Sequence, residues 1–157
     1  SIIQAHNLCY STLIPDEELY KHNYLKPTDY ETFHLKGCRV HFVKKHIRPS
    51  LLSQLLTSWL TKRKEIRARL AHCADPTLRT ILDKQQAAIK VTCNSVYGFT
   101  GVASGIFPCL KVAETVTLRG RTMLEKSKVF IEALCPSRLG ELLGETYAHD
   151  DSAQLRV

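Results

Sequence analysis

Two stretches of helical periodicity separated by one short break limit the fold of this chain more than any other feature. Leu52, Leu55, Leu56, Trp59, Leu60, Ile66 and Leu70 recur at helical spacing. They predict a helix over about 49–72, with Pro49 suited to its first position. Asp75 followed by Pro76 is a strong restart, an N-capping carboxylate ahead of a proline at the first helical position. A second stripe, Leu78, Ile81, Leu82, Ala88, Ile89 and Val96, predicts a helix from 76 to about 97, with Gly98 as its terminator. Two long helices joined so tightly lie antiparallel, as a helical hairpin.

The rest of the chain is organised around that hairpin. Residues 1–9 read as a short helix carrying Ile2, Ile3, His6 and Cys9, and a polar loop with Pro15 and Pro27 follows. The alternating runs "TFHL" and "VHFV" flank "KGCR", which predicts a β-hairpin at 31–43. After the Gly-rich connector "GFTGVASGIFP", a third helix over about 110–134 places Ala113, Val116, Gly120, Leu124, Ser127 and Ile131 near one face and stops at Cys135-Pro136. The tail 137–154 reads as acidic and irregular, and "LRV" begins a strand. The expected class is mainly α with a small β component. A chain of 157 residues with 44% apolar content suffices for a sizeable core.

Charge points to a partner. Lys and Arg number 22 against 15 Asp and Glu, a net +7, which suits a polyanion such as nucleic acid or phosphate; the alternative is a surface made soluble by lysines. The six cysteines (Cys9, Cys38, Cys73, Cys93, Cys109 and Cys135) form no C-x-x-C pair and lie in no zinc spacing with a histidine. They read as reduced, mostly buried thiols of an intracellular protein. No apolar run approaches the ~20 residues of a membrane span, and no signal peptide is expected.

The candidate site lies on the hairpin. "KRKEIRAR" packs five basic residues into residues 62–69, with Arg63 and Arg67 four apart on one face. On the second helix Lys90, Asn94 and Tyr97 recur at intervals of four and three. At ~1.5 Å per residue, Arg63, Arg67 and Lys90 stand about 12–23 Å from the hairpin tip, close to level across a narrow gap. Three cations and an amide there make a site for a multiply charged anion. Arg supplies a planar fork and Lys a point charge, both matched to phosphate oxygens. There is no G-x-x-x-x-G-K-[ST], so the chain is not a P-loop protein. The alternatives are a solvated face of i,i+4 charges for the basic run, a helix-end amide for Asn94, and a core ring for Tyr97.

"KVTCNSVYG", Lys90 to Gly98, resembles the K-x-x-x-N-S-x-Y-G motif B of family B DNA polymerases, in full. "SIIQAHNLCYSTLI" resembles the continuation of their motif A, D-F-x-S-L-Y-P-S-I-I-x-x-x-N. "FVKKHIRPSLLSQLL", "ILDKQQAAIKVTCNSVYGFTG" and "PCLKVAETVTLRGRTMLEKSK" are similar to the same family, in wording closest to herpesvirus members and among these to gammaherpesviruses. The resemblance covers essentially the whole chain. It implies a piece running from the end of motif A to just before motif C, I-Y-G-D-T-D-S. The metal-binding aspartates of both motifs would then lie outside it, and Asp150 and Asp151 in "HDDSA" lack the motif C context.

That resemblance implies the following expectations. Residues 1–47 are partial palm, 48–98 the fingers hairpin with motif B, and 99–157 partial palm with a long helix and a strand leading to motif C. Arg63, Arg67, Lys90 and Asn94 contact the incoming nucleotide. Tyr97 and Gly98 pack against the nascent base pair, and Thr100 and Gly101 lie near the duplex. The parent enzyme transfers deoxynucleotides from dNTPs to a primer on a template, with two Mg2+ ions, a viral processivity factor and a place in the host cell nucleus. It needs no membrane. The isolated chain is expected to be inactive. The rival reading is a non-catalytic helical nucleic-acid-binding module, whose cations meet backbone phosphates and whose binding falls steeply with salt.

Overall fold

The Asp75 side chain starts the second long helix as the sequence predicts. Its Oδ1 accepts from the backbone N–H of Thr77 at 2.8 Å and of Leu78 at 3.4 Å, and Pro76 follows at the helix start. The structure, a computed structural model, describes residues 1–105, 107–145, 150 and 153–157. Its elements are α1 (Ile2–Ala5), β1 (Leu13–Pro15), a 3-10 helix (Asp16–His22), β2 (Tyr30–Leu35), β3 (Cys38–Val43), α2 (Leu51–Ala71), α3 (Pro76–Thr100), α4 (Leu110–Glu132) and α5 (Pro136–Leu143). Residues 1–116 form one compact unit and residues 117–157 another. The class is mainly α with one small antiparallel sheet, as expected.

In the first unit, α2 and α3 pack along two heptad seams. On α2 the seam is Leu52, Leu56, Trp59, Arg63, Ile66 and Leu70; on α3 it is Leu82, Gln86, Ile89, Cys93, Val96 and Thr100, all buried or half-buried. Alternating steps of four and three keep each set on one stripe of its helix, so the two stripes meet along the hairpin. At the base of the hairpin Leu52, Leu56 and Val96 join Ile3 and Cys9 in one core cluster, with Trp59, Cys93 and Val116 packed against it.

The sheet has the order β1-β3-β2 and is antiparallel throughout. Lys36 and Gly37 make the two-residue turn of the expected hairpin, with Gly37 at φ +82° and Leu35 paired to Cys38. The central strand β3 is buried on both faces: Val40 and Phe42 on the apolar side with Phe33, and His41 on a polar side. His41 Nε2 lies 2.9 Å from Asp16 Oδ1 and its Nδ1 lies 2.9 Å from Thr32 Oγ1. Arg39 donates to the other oxygen of Asp16 from Nη2 at 2.9 Å and Nε at 3.2 Å. The His41 hydrogen bond first, then the Arg39 hydrogen bond, hold the Asp16 carboxyl below its ordinary range.

Asn7 joins these parts. It is 2% exposed and sits at φ 52°, which ends α1 after Ala5 rather than near residue 9. Its Nδ2 donates to the carbonyls of Val43 at 2.7 Å and Arg48 at 2.8 Å, and its Oδ1 accepts from Ser50 N–H at 3.0 Å.

Several boundaries differ from the sequence expectation. α2 begins at Leu51, because Ser50 is the N-cap and its Oγ accepts from Ser53 N–H at 3.0 Å; Pro49 stands ahead of the cap, not inside the helix. α3 runs through Gly98 to Thr100 and ends at Gly101, whose N–H donates to the Gly98 carbonyl at 3.1 Å. Gly98 has no positive φ and takes a helical conformation, so no chain reversal occurs there. Strand β1 joins the sheet from within the expected polar loop. The tail expected to be irregular carries α5, with Gly144 in the left-handed region at φ +68° after it. Gly140 is required there: a Cβ on it would lie 2.7 Å from the Glu145 carbonyl oxygen. Residues 153–157 form no strand, because no ladder partner meets them among the described residues; the Val157 N–H donates instead to Glu132 Oε1 at 3.3 Å. Only Cys9 of the six cysteines is buried, against the expectation of mostly buried thiols, and all six are free. Asp151 lies outside the described residues.

Candidate functional site

One cross-hairpin hydrogen bond sets the level of the candidate residues. Arg63 Nε donates to Gln86 Oε1 at 3.2 Å, and Gln86 Nε2 donates to Asp83 Oδ1 at 3.1 Å. Asp83 thereby orients the Gln86 amide with its oxygen toward α2. Arg63 is level with Gln86, so Lys90 stands about 6 Å and Asn94 about 12 Å further from the hairpin tip, while Arg67 stands about 6 Å nearer to it. The four expected residues form a ladder along the hairpin instead of one tight ring.

They also share a flank. At about 100° per residue, Arg67, Leu60 and Lys64 sit roughly 60–120° to one side of the α2 seam. Tyr97, Lys90 and Asn94 sit roughly 60–120° to the same-handed side of the α3 seam. Because the helices run in opposite directions, equal rotations of the same hand fall on one flank of the pair. The cavities agree. One hollow is lined by Leu60, Arg63, Lys64, Arg67 and Ala68, and a second includes Leu60, Cys93, Asn94 and Tyr97. Leu60 borders both, so the two form neighbouring parts of one surface. Lys62 and Arg69 rotate to the opposite flank, where Lys62 Nζ lies 3.9 Å from Glu65 Oε2.

The electrostatics follow from this placement. Lys64, Arg67 and Lys90 are exposed, and among the described residues none is in an ion pair. Arg63 is half-buried against a neutral amide. The same rotation puts the exposed Asp83 carboxylate on this flank, where it accepts from Gln86. The cations outnumber it and none is ion-paired with it among the described residues, so an anion that spans several of them is stabilising. Asn94 is exposed beside the cations, and Tyr97 is 41% exposed, which sets aside the core-ring alternative. Gly98 is exposed and a Cβ there would meet nothing within 4 Å. Gly101 is exposed as well, but Thr100 is fully buried with its hydroxyl donating to the Tyr97 carbonyl at 2.8 Å. The Thr100 side chain thus closes the helix end and offers no surface to a ligand.

Sequence reasoning missed Gln86 and Asp83. Gln86 sits four residues before Lys90, and that spacing was the available signal. Lys64, one of the five basic residues of 62–69, lines the same hollow as Arg63 and Arg67, a placement that the run of charges does not announce. Among the described residues no cluster of three or more His, Cys, Asp or Glu could hold a metal ion. The described residues therefore offer no set of ligands for a metal centre. Among the same residues no helix is long and apolar enough to cross a membrane.

Comparison with known proteins agrees with the motif. The chain is 66% identical over 157 residues to the DNA polymerase catalytic subunit of Human herpesvirus 8 type P (isolate GK18), covering 100% of this chain and 16% of that protein. It is 64% identical over 157 residues to the DNA polymerase catalytic subunit of Saimiriine herpesvirus 2 (strain 11), again covering 100% of the chain and 16% of the relative. The chain thus spans about a sixth of the length of these relatives. In fold it resembles the family B DNA polymerase from the hyperthermophilic archaeon Pyrobaculum calidifontis, with a TM-score of 0.63 and 23% identity over 80% of this chain and 15% of that one. A family model described as DNA polymerase family B matches residues 1–157, and the chain belongs to that family.

Proposed function

We propose that this chain is the nucleotide-gripping segment of a viral replicative DNA polymerase. The parent would transfer deoxynucleotides from dNTPs to a primer 3′ end along a template. The observation that carries the reading is the single flank on which Arg67, Lys90 and Asn94 stand, with Arg63 at its edge on the seam and no ion pair on these cations among the described residues. Residues 48–98 would be the fingers, with residues 1–47 and 99–157 contributing to the palm.

Phosphoryl transfer asks little covalent chemistry of a protein and much positioning and charge neutralisation. The ladder of cations would lie along the phosphates of a bound dNTP, with Arg63 held in place by Gln86 and Asp83. Lys90 would neutralise charge that grows on the leaving pyrophosphate. Tyr97 and the bare backbone of Gly98 would leave a flat surface for the nascent base pair, and Gly101 would lie toward the duplex. Two Mg2+ ions would supply activation of the primer hydroxyl, held by residues other than those described here. The parent would bind primer-template DNA, associate with a viral processivity factor and work in the host cell nucleus.

The test uses the intact polymerase. R63A and R67A are expected to raise the KM for dNTP by about 10-fold or more, from lost charged hydrogen bonds of roughly 1.5–3 kcal/mol each. Affinity for primer-template should change little. Equal losses of DNA affinity with a steep salt dependence, at unchanged dNTP KM, would replace this reading with the nucleic-acid-binding module.

A further inference from the structure

Away from the hairpin flank, two reactive side chains meet. Lys111 Nζ donates to Cys38 Sγ at 2.8 Å, a close approach for nitrogen and sulfur. Cys38 opens β3 directly after the Lys36–Gly37 turn, and Lys111 lies in the first turn of α4, so the contact joins positions 73 residues apart within the first unit. Both residues are half-buried, within reach of small molecules from solvent. Glu114 Oε2 stands 3.9 Å from the same nitrogen. The Cys38 hydrogen bond is the largest cause of a raised Lys111 pKa, which marks the pair as electrostatically linked. Neither residue has a part in the nucleotide site.

We propose that Cys38 and Lys111 form a reversible oxidative cross-link, a sulfenamide bond between Sγ and Nζ, with hydrogen peroxide as the oxidant. In the first step the Cys38 thiolate attacks peroxide. A sulfur–oxygen bond forms, the oxygen–oxygen bond breaks, and the departing hydroxide takes a proton to become water. Sulfur has lost an electron pair and stands as a sulfenic acid, a species that condenses with nitrogen. Oxidation of Cys38 removes the largest of the contacts that favour the ammonium, while Glu114 stays at 3.9 Å from the nitrogen. Lys111 releases a proton to solvent and its amine attacks sulfur. The nitrogen–sulfur bond forms as the sulfur–oxygen bond breaks, and the hydroxyl leaves as water with a proton from nitrogen. One thiol, one amine and one peroxide yield one sulfenamide and two waters. A first added thiol attacks sulfur, breaks the sulfur–nitrogen bond and frees the Lys111 amine. A second attacks the resulting mixed disulfide, leaves as a disulfide with the first and restores the Cys38 thiol.

The geometry selects this product because the nucleophile is already against the sulfur, so condensation outruns a second peroxide. The bond would tie the turn of the β2–β3 hairpin to the start of α4. That start is itself bound to the end of α3, where Cys109 N–H donates to the Thr100 carbonyl at 2.9 Å.

The test treats the intact polymerase with limiting hydrogen peroxide and maps its peptides by mass spectrometry. Cys135, which is exposed, serves as the internal gauge of oxidation. The expected result is a peptide pair joined through Cys38 and Lys111, lighter than the sum of its parts by a pair of hydrogens. It should be cleaved by dithiothreitol and lost completely in both C38S and K111R, the latter keeping the positive charge. The proposal is overturned if Cys135 is oxidised while Cys38 remains fully alkylatable. Oxidation of Cys38 to sulfinic acid without a link, or a link that survives in K111R, overturns it equally.

Discussion

Lys90 and Gln86 are the residues at which function and stability separate most cleanly. Lys90 is exposed and engages no carboxylate among the described residues, so its removal should leave folding untouched. K90A in the intact polymerase is expected to weaken incorporation by about 2–4 kcal/mol in the transition state, with the melting temperature unchanged. A large fall in Tm with normal kcat/KM would assign Lys90 a structural role instead. Gln86 offers the converse experiment. Q86E puts a carboxylate 3.2 Å from Arg63 in place of an amide oxygen. The new ion pair should engage Arg63 and lower dNTP affinity about 10-fold, or ~1.4 kcal/mol, while Tm holds or falls slightly, because the carboxylate gains Arg63 but loses the hydrogen bond that the amide donates to Asp83. Titration of dNTP in single-turnover experiments reads the difference.

At the scale of elements, α3 carries the sharpest test through Gly98. A glycine inside a helix costs roughly 0.5–1 kcal/mol relative to alanine, and the space around it is open. G98A should therefore raise the chain's thermal stability slightly and at the same time reduce incorporation, because the added methyl stands where the base pair is proposed to pack. A variant that is both more stable and fully active would show that this surface is unused. The hairpin itself was legible in the sequence for a local reason. The Asp75 cap, the Pro76 start and the heptad spacing each act within a few residues, and so do the Lys36–Gly37 turn and its flanking strands. The misplaced boundaries came from residues with two roles. Pro136 reads as the stop of α4 and is also the start of α5. Gly98 reads as a terminator, although its neighbours Tyr97 and Phe99 keep the helical backbone. β1 is only three residues long, and its partner β3 lies more than twenty residues on, so no local pattern announces it.

At the scale of the molecule, Asn7 and Asp16 hold the first unit together. Asn7 accepts and donates three buried or half-buried hydrogen bonds, reaching β3, the approach to α2 and the α2 cap. N7A strands those partners and places alanine at positive φ, so a loss of roughly 2–4 kcal/mol in unfolding free energy is expected by urea denaturation. Asp16 predicts a pH dependence. Its folded pKa lies below the ordinary 3.8, so its contribution is fully present above that value and is lost as pH falls through the lower folded pKa. Acid titration of the wild type should show stability declining below about pH 4, with the decline shallower in D16N. An identical slope in both would remove Asp16 from the account.

The sequence alone determined the two long helices, their antiparallel pairing and the family, because capping, periodicity and a contiguous motif are all properties of neighbouring residues. It also named the cations of the site. Only the tertiary structure decided which of them stand together. The Arg63–Gln86 hydrogen bond sets the register, and the antiparallel rotation brings Lys64, Arg67 and Lys90 to one flank while sending Lys62 and Arg69 to the other. The burial of Thr100 and the reach of Asn7 across the sheet were likewise tertiary outcomes. Distance along a chain does not encode which side chains share water and which exclude it.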